Sequence, residues 1–300
     1  MSMLMTVTRN LARLRRTSLR SDEALPRSTS QERSSAVVSR PLQRRCDVEK
    51  LVVGGCEVVT LRPHGLAPSS PHLVYLHGGA YVSPIVGAHW RILDALLRRT
   101  PATVTVPMYP LAPKQSIEEG LAFLDALSAH LERQADNERL VYAGDSASGG
   151  LALSYAIRQR DNDVGRRAAA LILFAPWVDV TMTNPGIPAM EPADIMLVAA
   201  GLRTCGKWWA GSRDPADPAV SPIHADLAGL PPVSIFQGDR DLFLPDVTLL
   251  DQRIRQTGGD SSLTVAKGGF HVYVGAPWVP EAKYALDRAA AAIAGSRAPR

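Results

Sequence analysis

Eight short β-rich runs, separated after the third by stretches of helical periodicity, restrict this chain to a mostly parallel sheet covered by helices. The runs fall at 48–53, 57–61, 73–76, 102–106, 140–143, 169–174, 233–236 and 263–265. Apolar residues at three- and four-residue spacing mark helices at 88–99, 117–133, 147–160, 246–256 and 281–294. Such β-α alternation buries a parallel sheet on both faces. With 300 residues and 46% hydrophobic content, the chain can fill one large core of this kind. The stretch 181–217, rich in Pro, Met and Trp, breaks the rhythm, and a helix-like piece at 193–209 lies within it. It reads as a cap insertion over the carboxyl edge of the sheet, where open α/β folds place their sites. Met182, Met190, Met196, Trp208 and Trp209 would either wall an apolar pocket or bury the cap itself.

Two motifs end apolar runs about seventy residues apart: His77-Gly78-Gly79-Ala80-Tyr81 and Gly144-Asp145-Ser146-Ala147-Ser148-Gly149. The first reads as an oxyanion loop, its glycines letting backbone amides approach a substrate. The second reads as a nucleophile turn, on which a strained strand-to-helix bend exposes a serine hydroxyl. The usual G-x-S-x-G spacing is split, because Ser146 has Gly144 before it but Ser148 after it, while Ser148 has Gly150 after it but Ser146 before it. The run 140–143 ends just before Gly144, so Ser146 lies on the turn and Ser148 in the first helical turn. Ser146 is therefore the expected nucleophile, with Ser148 as the alternative. Ala147 would add an amide at a helix N-terminus.

A base is expected after the last strand, where His271 alone of seven histidines falls, in Lys267-Gly268-Gly269-Phe270-His271. His77 reads as a support of the oxyanion loop; His64, His72, His89, His130 and His224 read as surface or packing residues. The orienting carboxylate should follow the strand at 233–236, where Asp239, Asp241 and Asp246 are available. Asp241, beside apolar Leu242, is favoured; Asp246 looks like the start of the next helix, and Asp239 could pair with Arg240.

These residues resemble the hormone-sensitive-lipase-like group of bacterial esterases, which have an α/β-hydrolase fold. Beyond the two motifs, Tyr109-Pro110-Leu111-Ala112-Pro113 is similar to that family's Y-R-L-A-P segment and Ala175-Pro176-Trp177-Val178-Asp179 to its S-P-W-x-D. Ser221-Pro222-Ile223 and Gly229-Leu230-Pro231-Pro232 are similar to its S-P-L and G-L-P-P run. The resemblance implies a Ser146/Asp241/His271 triad, oxyanion amides from Gly78 or Gly79, Ala80 and Ala147, no cofactor or metal, and esters of short to medium acyl chains. Three departures stand out. Ala80 replaces a third glycine and narrows the acyl side; Ser148 replaces the last glycine of the turn; Pro110 and Lys114 replace an Arg and a Glu, removing an ion pair that would support the oxyanion loop.

The net charge of +4 is concentrated at the start, where residues 1–50 carry 11 Lys/Arg against 5 Asp/Glu. Leu4, Val7, Leu11 and Leu14 recur at helical spacing among Arg9, Arg13, Arg15, Arg16 and Arg20, followed by a Ser/Thr-rich stretch to Ser35. Residues 1–46 are thus expected to form a leader and cap segment, and 47–300 the catalytic domain. A surface or membrane-attracted amphipathic helix and a targeting or disordered segment are the alternatives for the leader. No apolar run is long enough to span a bilayer, and Cys46, Cys56 and Cys205 read as reduced thiols, together pointing to a cytoplasmic protein. The expected partner is a small ester substrate and not nucleic acid; weak membrane-surface contact through the basic N-terminus and a homodimer are compatible with the sequence. An amidase, formamidase or lactonase would use the same residues, and a non-catalytic receptor would need to have lost one of them.

Overall fold

The computed structural model describes residues 1–13, 34–68, 70–134 and 139–295. Leu14, Arg15, Arg16, Arg20 and most of the Ser/Thr-rich stretch of the leader lie outside the described residues. Within them, eight strands form one sheet in the order β1-β2-β4-β3-β5-β6-β7-β8. β1 (Cys46–Val53) and β2 (Cys56–Pro63) make a hairpin whose turn residues, Gly54 and Gly55, have φ of 53° and 82°. Two consecutive positive φ values suit the primed turn that matches strand twist. Val53 faces Cys56 and Cys46 faces Pro63, so Cys46 and Cys56 sit at opposite ends of the hairpin; both are free thiols.

β3 (His72–Leu76), β4 (Thr103–Pro107), β5 (Leu140–Asp145) and β6 (Ala170–Phe174) are buried along their whole length. They read as near-continuous apolar runs because both faces of the sheet are covered. Leu73 and Tyr75 of β3 point into one core, shared with Leu42 of the short α2 (Arg40–Gln43), with α3 (Gly87–Leu97) and with α9 (Pro280–Ala294). Val74 and Leu76 point into the other, shared with α4 (Ile117–Gln134), α5 (Ala147–Asn162) and α8 (Leu244–Gln256). β7 (Val233–Gly238) and β8 (Ser261–Ala266) complete the parallel part, with β8 at the edge.

Between β6 and β7 lie the short α6 (Ile187–Met190) and the longer α7 (Ala199–Ala210). α7 begins six residues later than the periodicity predicts, because Asp194 Oδ1 accepts the amides of Met196 (2.7 Å) and Leu197 (2.9 Å) and turns the chain. Trp209 of α7 is fully buried and stacks on Tyr81, with ring centroids 4.3 Å apart and planes 4° from parallel. Tyr81 also stacks on Trp177, and Trp177 on Phe243. Each such pair adds about 0.5–1.5 kcal/mol beyond its buried area. Met182 and Trp209 thus bury the insertion, whereas Met196 reaches a cavity wall. At the other end, α1 (Met3–Arg13) rests on the body through fully buried Met5. Ser2 Oγ donates to Glu281 Oε2 at 2.8 Å, and Trp278 Nε1 donates to Thr8 Oγ1 at 3.1 Å.

Candidate active site

Ser146 stands between the last residue of β5 and the first of α5, with φ 55° and ψ −125°. A non-glycine residue held there stores about 1–3 kcal/mol, so its surroundings must fix it. Its N–H donates to the Phe174 carbonyl at 2.9 Å, and its own carbonyl accepts Trp177 N–H at 2.8 Å and Gly149 N–H at 3.0 Å. A Cβ on Gly144 would collide with the Ser148 backbone, which is why the turn tolerates only glycine at 144. Ser146 Oγ lies 2.9 Å from His271 Nε2, and His271 Nδ1 lies 2.9 Å from Asp241 Oδ2. The three residues expected to act together are therefore brought together. Ser148 Oγ instead points away, donating to the His77 carbonyl and lying 2.8 Å from Tyr109 Oη.

Asp241 is fully buried and its second oxygen accepts Phe243 N–H at 3.0 Å. Asp239 takes no part in this relay; its Oδ1 accepts Gly268 N–H at 2.6 Å and so ties the Asp241 loop to the His271 loop. Asp246 lies in the first turn of α8, accepting from Asn184 Nδ2 at 2.7 Å, and burial lifts its carboxyl to about 6. Burial opposes charge on His271, but Asp241, and then Asp194, outweigh it and raise its pKa above the ordinary histidine value.

Asp194 has no counterpart among the residues singled out by the sequence. Besides the Met196 and Leu197 amides, its Oδ2 accepts the N–H of Leu242, the neighbour of Asp241, at 2.8 Å. A buried carboxylate of the 181–217 insertion thus anchors the loop that carries Asp241. Burial and the nearby Asp241 raise the Asp194 pKa. No local pattern marks this aspartate, since its partner is 48 residues away.

The loop after β3 is held by neutral hydroxyls and one carboxylate. Tyr109 Oη donates to the His77 carbonyl at 2.8 Å, alongside Ser148. His77 Nδ1 donates to the Gly78 carbonyl at 2.9 Å, and burial, with His89 close by, holds its pKa down to about 4, so the ring is a neutral support. Gly78 is a correction to the expected donor set: its N–H is occupied by Asp145 Oδ1 at 3.0 Å. The same oxygen accepts Tyr75 Oη at 2.6 Å, while the other lies 3.4 Å from His89 Nε2. Burial disfavours the Asp145 charge, yet His89, Tyr75 and Gly78 together hold its pKa below the usual carboxylate value. His89, expected as a surface or packing residue, is therefore buried in the site wall. Among the described residues, the amides of Gly79, Ala80 and Ala147 have no hydrogen-bond acceptor. Gly79, Ala80 and Tyr81 all have positive φ, at 131°, 54° and 64°, and Gly79 and Ala80 line the same cavity as Ser146.

Ser146, His271, Gly79 and Ala80 face one cavity of about 580 Å³. Its walls are mostly apolar, formed by Leu11 and Ala12 of α1, Pro84 and Val86, Met196 and Leu197 of the insertion, and Phe270 and Trp278. An activated hydroxyl, unpaired amides and an apolar chamber suit attack on a carbonyl carbon whose substituents are hydrocarbon.

The α/β-hydrolase fold family matches residues 73–275. An acetyl-hydrolase of Streptomyces hygroscopicus is 30% identical over 245 residues, covering 80% of either chain. An esterase of Acinetobacter venetianus is 29% identical over 230 residues, covering 73% of each. Among solved structures, an esterase/lipase from an uncultured bacterium superposes with a TM-score of 0.84 at 25% identity, covering 98% of both chains.

Proposed function

This chain belongs to the α/β-hydrolase fold family, in its hormone-sensitive-lipase-like branch, and is a carboxylic ester hydrolase; we propose that it works through Ser146, His271 and Asp241 by way of an acyl-enzyme. The observation that carries this reading is the continuous relay from Asp241 Oδ2 through both ring nitrogens of His271 to Ser146 Oγ, with 2.9 Å at each contact.

His271 Nε2 takes the hydroxyl proton as Ser146 Oγ bonds to the ester carbonyl carbon, and Asp241 holds the ring in the tautomer that permits this. The carbonyl oxygen becomes an oxyanion held by the amides of Gly79, Ala80 and Ala147, each such donor lowering the barrier by about 3 kcal/mol. The tetrahedral species collapses as the C–O bond to the alcohol breaks, and His271 returns the proton to the departing alkoxide. Water then attacks the acyl-enzyme by the same route, giving the acid and restoring Ser146.

The cavity supports esters of short to medium acyl chain, with α1 and the insertion at 181–217 as the cap over them, since Leu11, Ala12, Met196 and Leu197 line it. Ala80 adds a methyl where the branch commonly has glycine, narrowing the space beside the acyl group. A p-nitrophenyl ester series from acetate to palmitate, with fluorophosphonate labelling, tests the proposal. Turnover highest for the shorter chains and labelling at Ser146 are expected; full activity in Ser146→Ala would overturn it.

A further inference from the structure

The three faces of α1 carry different chemistry. Met5, Thr8 and Ala12, spaced i, i+3, i+7, turn toward the body: Met5 is fully buried, while Thr8 and Ala12 line the active-site cavity. Arg9 and Arg13 line a separate small cavity together with Arg240 of the acid loop. The remaining stripe, Leu4, Val7 and Leu11, has the same spacing and is apolar and exposed, Leu11 to 60%. Met3, 84% exposed, extends it at the start of the helix. Four exposed apolar side chains on an 11-residue helix form a patch that an ordinary water-facing surface does not carry.

This stripe is continuous with the mouth of the catalytic cavity. Leu11 belongs to both, and the cavity lining also includes Val86 and Trp278, each exposed to 47%. Trp278 is fixed to α1 by its bond to Thr8 Oγ1. The guanidinium of Arg91, also in the lining, lies 6.0 Å from the centre of the Trp278 ring, and its Nε donates to the Gly275 carbonyl. An apolar stripe, a tryptophan with a wet edge and a stacked arginine together match the boundary of a bilayer, where hydrocarbon, glycerol esters and phosphates succeed one another over a few ångströms. The cation selects a surface of net negative charge over a zwitterionic one.

We propose that the Leu4, Val7, Leu11 face of α1, with Val86, Trp278 and Arg91 at the cavity mouth, docks on an anionic phospholipid bilayer and admits short- to medium-chain esters dissolved in it to Ser146. The proposal rests on the esterase reading above for its chemistry, but the docking itself does not require turnover. The exposed stripe enters the interface while the Met5 stripe keeps α1 on the body, so an acyl chain leaving the bilayer passes along Leu11 into the cavity without crossing water.

Co-sedimentation of the full chain with vesicles of equal parts phosphatidylglycerol and phosphatidylcholine, against pure phosphatidylcholine, tests this. The full chain should sediment with the anionic vesicles, and raising salt from about 50 to about 500 mM should weaken that binding. The double variant Leu4→Asp/Val7→Asp should bind them about tenfold more weakly, hydrolyse vesicle-borne ester correspondingly more slowly, and keep its rate on dissolved p-nitrophenyl butyrate. Leu4→Ser/Val7→Ser, a milder change, should show the same split, and Arg91→Ala should lose about fivefold in vesicle affinity. Ser146→Ala should bind vesicles like the parent chain, which separates failure of docking from failure of the chemistry. The proposal is overturned if the parent chain stays in the supernatant with anionic vesicles, or binds both compositions equally. It is also overturned if the stripe variants bind like the parent, or if their only effect is to convert a dimer to a monomer, which would assign the face to a second copy of the chain.

Discussion

The hydroxyl of Ser148 donates to the backbone carbonyl of His77, joining the first turn of α5 to the loop whose amides are proposed to hold the oxyanion. A serine where the related branch commonly has glycine is thereby given a use. It shares the His77 carbonyl with Tyr109, and neither hydroxyl is left unpaired in the core.

Replacing each serine separately should distinguish the two. Ser146→Ala is expected to lower kcat/KM by about 10⁴-fold or more and to abolish fluorophosphonate labelling. Ser148→Ala should keep the labelling and lose about 1 kcal/mol of stability, the usual net worth of one such bond, with a smaller fall in kcat as the loop loosens. Urea denaturation alongside ester turnover reads both quantities.

The pH profile should carry the signature of His271. Its pKa is raised above the ordinary 6.5, because Asp241 and Asp194 outweigh burial. As pH falls through that value the ring protonates and can no longer accept the Ser146 proton, so kcat/KM should decline on the acid side with a midpoint above about 6.5. Asp241→Asn should move the midpoint to lower pH while cutting the rate by about 10⁴-fold. A rate flat from about pH 5 to 9 would remove His271 from its role.

Asp194 is expected to act on the same profile at a distance. Asp194→Asn removes one of the charges that raise the His271 pKa and should shift the acid limb downward by less than Asp241→Asn does. Asp194→Ala strands the amides of Met196, Leu197 and Leu242 and should cost about 1–3 kcal/mol for each that water cannot reach. A purely structural residue would lower stability and leave the midpoint where it was.

Asp246 offers a stability test with a defined sign. Its carboxyl titrates near 6 in the fold against 3.8 when unperturbed, so the folded chain binds the extra proton between those values. Stability should therefore fall as pH rises from about 4 to about 6 and stay low above that. Asp246→Asn, which keeps an oxygen for Asn184, should stabilise the protein by about 1–3 kcal/mol at pH 8 and hardly at all at pH 4. Thermal melts of both chains at the two values measure the difference.

Much of this was legible in the sequence because it is local. All eight predicted strands form, most within one or two residues of their expected ends, since β-branched runs and the Gly54-Gly55 turn encode them directly. The positions of Ser146, Asp241 and His271 followed from which strand each one ends. What escaped depends on side chains meeting across long separations. The Gly78 amide was expected at the oxyanion, but the preceding residue of the other motif, Asp145, turns back and takes it. His89 lies inside a helix with no motif around it, and only the packing of α3 against the end of β5 brings it to Asp145. Asp194 looked like part of a helix because its neighbours have helical periodicity, while its carboxylate in fact turns the chain ahead of the helix and delays its start to Ala199.

The three members of the relay are unequally supported. Ser146 follows β5, which is flanked by strands on both sides, whereas His271 follows β8, which has a partner only in β7. Peripheral strands open before central ones as thermal energy grows. On gradual warming, the catalytic clock should therefore stop before the scaffold melts: ester turnover is lost as the base drifts out of reach, while the far-ultraviolet dichroism of the sheet persists and cooling restores full activity.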